Sequence, residues 1–204
     1  MNVAAQLELA RHFLSLGAHV VFLSSNAVFD GTEEAPNEDA RLSPTSLYGQ
    51  LKAETEEALE AIAQMYPGAL SIVRLSKVLS KRLPLVADWL SSLQAGKAIT
   101  AFSDRTLSPI SLEYAVNGLV WCGADNIQGR FHLSGDVELS YHAFGKALAR
   151  TLGADNRLVL TESIDQLLTH NRLGMQRTEA VLGLKAQDLN SFFTDLLKPQ
   201  FVHS

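Results

Sequence analysis

The chain holds a single cysteine, Cys122, so no disulfide can close within it and no cysteine-based metal site can form. A reducing, cytoplasmic setting is the expectation. No apolar run approaches the length that crosses a bilayer. The N-terminal stretch MNVAAQLELARHF carries Glu8 and Arg11 inside its apolar pattern and no cleavage-like site, so it does not read as a secretion signal. Positive charge is scarce: 17 Lys and Arg face 22 Asp and Glu, for a formal net charge of −5, and the basic residues are scattered. The electrostatic footprint of a nucleic-acid binder is therefore missing. The six histidines never fall into an H-E-x-x-H spacing, and metal binding is not expected. The 13 glycines stand singly, and no G-x-x-G-x-x-G occurs.

What remains is an ordinary globular balance, 47% hydrophobic and 19% charged in 204 residues. That is enough for one domain with a substantial core, or a domain plus a small lobe. Residues 2–16 fit an amphipathic helix, with Val3, Leu7, Ala10 and Leu14 at helical spacing and Gly17 as the stop. HVVFLS, residues 19–24, is a continuous apolar strand of the kind covered on both faces. A long polar loop runs from Asn26 to Pro44, and long loops are often functional. Ser43-Pro44 then starts a helix to about Met65, whose Glu54, Glu56, Glu57 and Glu60 read as a solvated face. Further strands are expected at 69–76, 97–102, 129–135 and 157–160, and further helices at 84–96, 111–123 and 140–153. From Ser163 the tail reads as short helices, among them TEAVLGL and LNSFFTDLL. Strands alternating with helices predict an α/β fold with a mostly parallel sheet.

The chemistry gathers early. In an open parallel sheet, ligands bind beyond the carboxyl ends of the strands. HVVFLSSNAVFDG places Ser24 and Ser25 at such an end, although capping or turn formation is the commoner use of serines there. In SLYGQLKAE, Tyr48 and Lys52 lie four apart near a helix start and share a face. An ammonium beside a phenol favours the phenolate, which suits proton transfer near neutral pH. A serine hydroxyl at the same place can bind the same oxygen. Together such groups serve ketone reduction or alcohol oxidation, and a nicotinamide cofactor must supply the hydride.

Strand, Ser-Ser, long loop and Tyr-x-x-x-Lys in that order resemble the extended short-chain dehydrogenase/reductase superfamily, and within it the dTDP-4-dehydrorhamnose reductase group. The resemblance is carried by SSNAVFDG, EDARLSPTSLYGQLKAETE, SIVRLSKVLS, SDRTLSPIS and GRFHLSGDVELSYHAFGKALA, over nearly the whole chain. It implies a partial Rossmann-like, doubly wound parallel sheet. Residues 1–80 would form the second half of the NAD(P)-binding domain and 81–204 a smaller, interleaved substrate-binding lobe. It implies an NADP- or NAD-dependent reductase acting on a nucleotide sugar. Ser25 would polarise the carbonyl, Tyr48 would donate the proton, and Lys52 would bind the nicotinamide ribose and tune Tyr48. Arg74, Leu75 and Ser76 would lie beside the nicotinamide, and Ser108 in the sugar-nucleotide lobe. The family commonly has S-T-D-Y-V-F where this chain has Ser24 to Phe29, and often a tryptophan at Lys77. Asn26, Ala27 and Lys77 would thus face the sugar with altered chemistry.

The family also opens with a strand, a glycine-rich turn and a helix that hold the cofactor pyrophosphate, and this chain has no counterpart. A truncated form is the expectation, with the strand at 19–24 left as an open edge that its own segments, a partner or a second copy must cover. Two other readings stand beside the reductase: a non-catalytic regulatory or binding protein of the same fold, such as the regulatory subunit of methionine adenosyltransferase, and an inactive gene fragment. The resemblance further implies a homodimer through the helices at 2–16 and 45–65.

Overall fold

The computed structural model describes residues 3–124, 127–165 and 169–198. The chain opens with α1 (Val3–Ser15), β1 (His19–Ser25), α2 (Leu47–Ala63) and β2 (Ala69–Leu75). It continues through β3 (Lys77–Leu79), α3 (Pro84–Gln94), β4 (Ile99–Phe102), β5 (Thr106–Leu107), β6 (Pro109–Ser111) and α4 (Leu112–Ala124). The remainder is β7 (Gly129–Leu133), β8 (Leu139–Ser140), α5 (Tyr141–Thr151), β9 (Val159–Glu162), α6 (Gln176–Leu182) and α7 (Leu189–Leu197).

The main sheet runs β1-β2-β7, all parallel, with His19 beside Ala69, Ser25 beside Leu75, and Leu75 beside Leu133. Strand alternation sends its side chains to two helical layers. Val20, Phe22, Leu70 and Ile72 pack with Ala10 of α1 and Leu59 of α2. Val21, Val73, Phe131 and Leu133 pack with Ala115 and Cys122 of α4. The sheet is thus wound on both faces, a Rossmann-like α/β arrangement as expected. Cys122 is fully buried there, and burial pushes its thiol up to about 11, so it is inert near neutral pH.

A separate core supports the rest. Trp89 and Leu93 of α3, Phe144 and Leu148 of α5, and Phe192, Phe193 and Leu196 of α7 close over the parallel pair β4–β9. Phe144 stacks on Phe193 with centroids 5.6 Å apart and meets Phe192 edge-on at 5.8 Å. Parallel β3–β6 and antiparallel β5–β8 join the two parts.

Several expectations shift. β3, β5, β6 and β8 are two or three residues long, too short to leave a periodic signal. Helix α2 starts at Leu47, where the Ser46 side chain accepts the Gly49 N–H. Ser43, the expected start, instead accepts the Asp30 N–H at 3.2 Å and pins the loop. Residue 2 of the first predicted helix and residues 166–168 and 199–204 of the tail lie outside the described residues. The acidic face of α2 is not wholly solvated: Glu56 is buried against Arg74, and Glu60 holds Arg130 at 2.6 Å. β1 pairs only with β2 among the described residues, and Leu23 is 46% exposed.

Candidate active site

Ser25 ends β1 in extended geometry, and its hydroxyl does two things. It accepts the Ala27 N–H at 3.2 Å, capping a short 3-10 turn from Asn26 to Val28, and it donates to Asn26 Oδ1 at 3.2 Å. The start of α2 lies directly against this turn. A Cβ on Gly49 would stand 2.0 Å from the Ala27 carbonyl oxygen, so the two backbones meet only because residue 49 is glycine. That contact brings Tyr48, half exposed, to the strand end that carries Ser25.

Lys52 follows one turn later. Its Nζ donates to Leu23 O at 2.6 Å, lies 4.6 Å from the Phe22 ring centroid, and lies 6.0 Å from that of Tyr48. Burial pushes the Lys52 pKa below the ordinary lysine value, and the Glu56 carboxylate pulls it back. The ammonium is thereby held between β1 and Tyr48. The hydroxyls of Ser24 and Ser76, at the ends of β1 and β2, are buried with no hydrogen-bond partner among the described residues. Both residues are closed off from solvent, at 5% and 6% exposure.

The other sequence-derived candidates divide. Asn26 and Ala27 form the turn beside Ser25. Leu75 is half-buried at the end of β2, and Lys77 is exposed at the start of β3. Ser108 is fully buried, within reach of Ser134 Oγ at 3.3 Å and Gly135 O at 3.2 Å. Arg74 has no exposed surface. Its guanidinium donates to both Glu56 carboxylate oxygens, the shortest at 2.7 Å, and to Glu38 O at 3.2 Å, and sits over the Phe29 ring. His132 Nδ1 donates to Gly174 O at 2.7 Å, which leaves Nε2 to accept from Arg74 at 3.2 Å. Burial first, and then the Arg74 charge, hold the His132 pKa down to about 4. Glu38 accepts from the N–H and hydroxyl of Thr178, both at 2.9 Å. This network ties the polar loop, α2, β2, β7 and α6 together behind the site. Its members are distant in sequence and share no spacing, so periodicity could not reveal them.

Asn26 reaches the second part of the chain. Its Nδ2 donates to Asn171 O at 3.2 Å and Oδ1 at 3.1 Å. A further cavity of about 180 Å³, lined by Leu85, Trp89, Phe102, Arg105 and Tyr141, offers flat aromatic walls and a guanidinium. Among the described residues there is no cluster of three or more metal-ligating side chains, and no helix is long and apolar enough to cross a membrane.

The family model described as the RmlD substrate binding domain matches residues 1–182. The dTDP-4-dehydrorhamnose reductase of Sinorhizobium fredii is 32% identical over 147 residues, 68% of this chain and 48% of that protein. Methionine adenosyltransferase 2 subunit beta of Xenopus tropicalis is 41% identical over 59 residues, 29% of this chain and 18% of that protein. The chain thus spans about half the length of the reductase it matches. The crystal structure of a dTDP-4-dehydrorhamnose reductase from Bacillus anthracis in complex with NADP superposes with a TM-score of 0.77 at 19% identity. It covers 95% of this chain and 72% of that one, a likeness of fold.

Proposed function

The chain belongs to the RmlD substrate-binding domain family, and from that premise we propose that it takes part in NADP- or NAD-dependent reduction of a 4-keto nucleotide sugar. The observation that carries this reading is the gathering of Ser25, Tyr48 and Lys52 at one end of β1, with Lys52 Nζ 2.6 Å from Leu23 O and 6.0 Å from the Tyr48 ring centroid. The Ser25 hydroxyl, released from Asn26, hydrogen-bonds the substrate carbonyl oxygen. Tyr48 gives that oxygen its proton as it becomes an alcohol. Lys52, held at Leu23 O one turn beyond Tyr48, would bind the ribose of the dinucleotide.

A bound nicotinamide dinucleotide supplies the hydride. Tyr48, Lys52 and the backbone from Arg74 through Leu75 to Ser76 would form the wall around it. Asn26, Ala27, Lys77 and Ser108 belong to the substrate side. The cavity bounded by Trp89, Phe102, Arg105 and Tyr141 suits a heterocyclic base. Residues 1–80 carry the cofactor side of this site and 81–204 the substrate lobe. A homodimer through α1, which exposes Leu9 and Phe13 with Leu16 just beyond its end, and α2 completes the proposal.

A second reading has its own support. The 59-residue match to a methionine adenosyltransferase subunit favours a non-catalytic regulatory partner of the same fold. Calorimetric titration of the purified chain with NADPH and then NADH separates the two. Micromolar binding supports the reductase, and turnover of nucleotide-sugar ketones should follow. No binding at millimolar cofactor removes the hydride source and sinks it.

A further inference from the structure

We infer that Asn26 is a positioning residue whose amide couples the Ser25 hydroxyl to residues 169–172 of the second lobe. Its catalytic consequence rests on the reductase reading above; its structural content does not.

The hydrogen bonds fix the amide's orientation. Asn171 O is a backbone carbonyl and can only accept, so Asn26 must turn its Nδ2 toward it, at 3.2 Å. The same Nδ2 reaches Asn171 Oδ1 at 3.1 Å. Asn26 Oδ1 is then left facing Ser25, whose hydroxyl donates to it at 3.2 Å. Asn171 is itself anchored. Its Nδ2 donates to Thr106 Oγ1 at 2.8 Å, and its backbone N–H donates to Glu138. The chain of contacts thus runs from Ser25 through Asn26 and Asn171 to Thr106 of β5 and to Glu138. A shift of segment 169–172 pulls on Asn26 and changes where the Ser25 proton points.

This arrangement needs a donor at residue 26. A carboxylate of the same shape would keep the Ser25 bond, and strengthen it by its charge. It would meet the two Asn171 oxygens with no hydrogen to offer. Asn26→Asp therefore separates amide chemistry from size. In that variant the two oxygens raise the new carboxyl's folded pKa above its unfolded value. The link survives below the unfolded pKa, where a protonated carboxyl can still donate, and is lost as pH rises through the folded pKa. The cavity that Asn26 lines also holds Asp30, Glu33, Arg41, His170 and Arg172. Glu138 bonds the Asn171 N–H from the far side, and Lys52 stands on α2. These groups are common to both proteins, so the variant is read as a difference from the unsubstituted chain at each pH.

The experiment is the thermal melt of the full chain, Asn26→Asp and Asn26→Ala across pH 4 to 8. Asn26→Asp should match the unsubstituted chain at the acid end and fall below it by about 3–8 °C at pH 8. Asn26→Ala should sit below it by a constant amount. An Asn26→Asp deficit that does not change with pH, or one that tracks Asn26→Ala throughout, overturns the coupling. In turnover assays Asn26→Ala, which leaves the Ser25 hydroxyl without this acceptor, should lose kcat at least tenfold with KM changed less. An unchanged kcat in an active enzyme overturns the Ser25 end of the coupling. If the unsubstituted chain reduces no nucleotide-sugar ketone, the reductase reading fails while the melts still decide the Asn26–Asn171 link.

Discussion

Several polar side chains near the strand ends take their chemistry from what they are bonded to. His132 illustrates this for stability. Its pKa is held at about 4, against an ordinary value near 6.5, by burial and by Arg74, with Glu38 pulling the other way. Between those values the unfolded chain binds a proton that the folded chain refuses. The stability present above about 6.5 is lost as pH falls toward 4, by roughly 3 kcal/mol at the end of that window. Melting followed by circular dichroism from pH 7 to 4 should show this loss, and His132→Gln should flatten the curve. Tyr48 illustrates function. It is half exposed, so Tyr48→Phe should leave the melting midpoint within a degree or two while abolishing ketone reduction. Unaltered turnover would remove Tyr48 from the reaction.

Helix α2 joins the two kinds of chemistry. Its first turn touches the Ser25 turn through Gly49, and its inner face holds the buried pair Glu56–Arg74 at 2.7 Å. Gly49→Ala forces a Cβ to within 2.0 Å of Ala27 O, a backbone atom that can move only with the whole turn. A loss of about 2 kcal/mol or more is expected, since overpacking typically costs about 1–3. A denaturant melt measures it, and cofactor affinity should weaken in parallel as Tyr48 leaves its place. Glu56→Ala strands the Arg74 charge without a counterion and should cost about 3–5 kcal/mol in the same assay. A cost below 1 kcal/mol would mean the guanidinium finds other partners. The acidic run on this helix is thus divided between solvent and an interior ion pair.

At the scale of the whole molecule, β1 stands at one edge of the main sheet among the described residues. β1 is an apolar strand with no proline and no charged side chain between His19 and Ser25, and no second neighbour among the described residues. Beside it α4 exposes Val116, Val120 and Trp121. Edges of this kind template further pairing unless blunted. Light scattering should show association that grows with concentration. Leu23→Lys should reduce it at equal concentration. A monodisperse monomer in both would mean that the edge is covered by the chain itself.

The apolar runs and their flanking glycines were enough to predict the α/β class and the main strands and helices. These are local signals, since periodicity and turn chemistry are written within a dozen neighbouring residues. The short strands β3, β5, β6 and β8 were decided by pairing with partners far along the chain, as was the burial of Glu56. So were the enclosure of Arg74 and the bond from Asn26 to Asn171. A carboxylate on a helix reads the same whether it faces water or a guanidinium, and an asparagine after a strand reads the same whatever it touches. Only the tertiary structure brings the partner to within hydrogen-bonding distance, and at that range the partner sets both the energy and the chemistry.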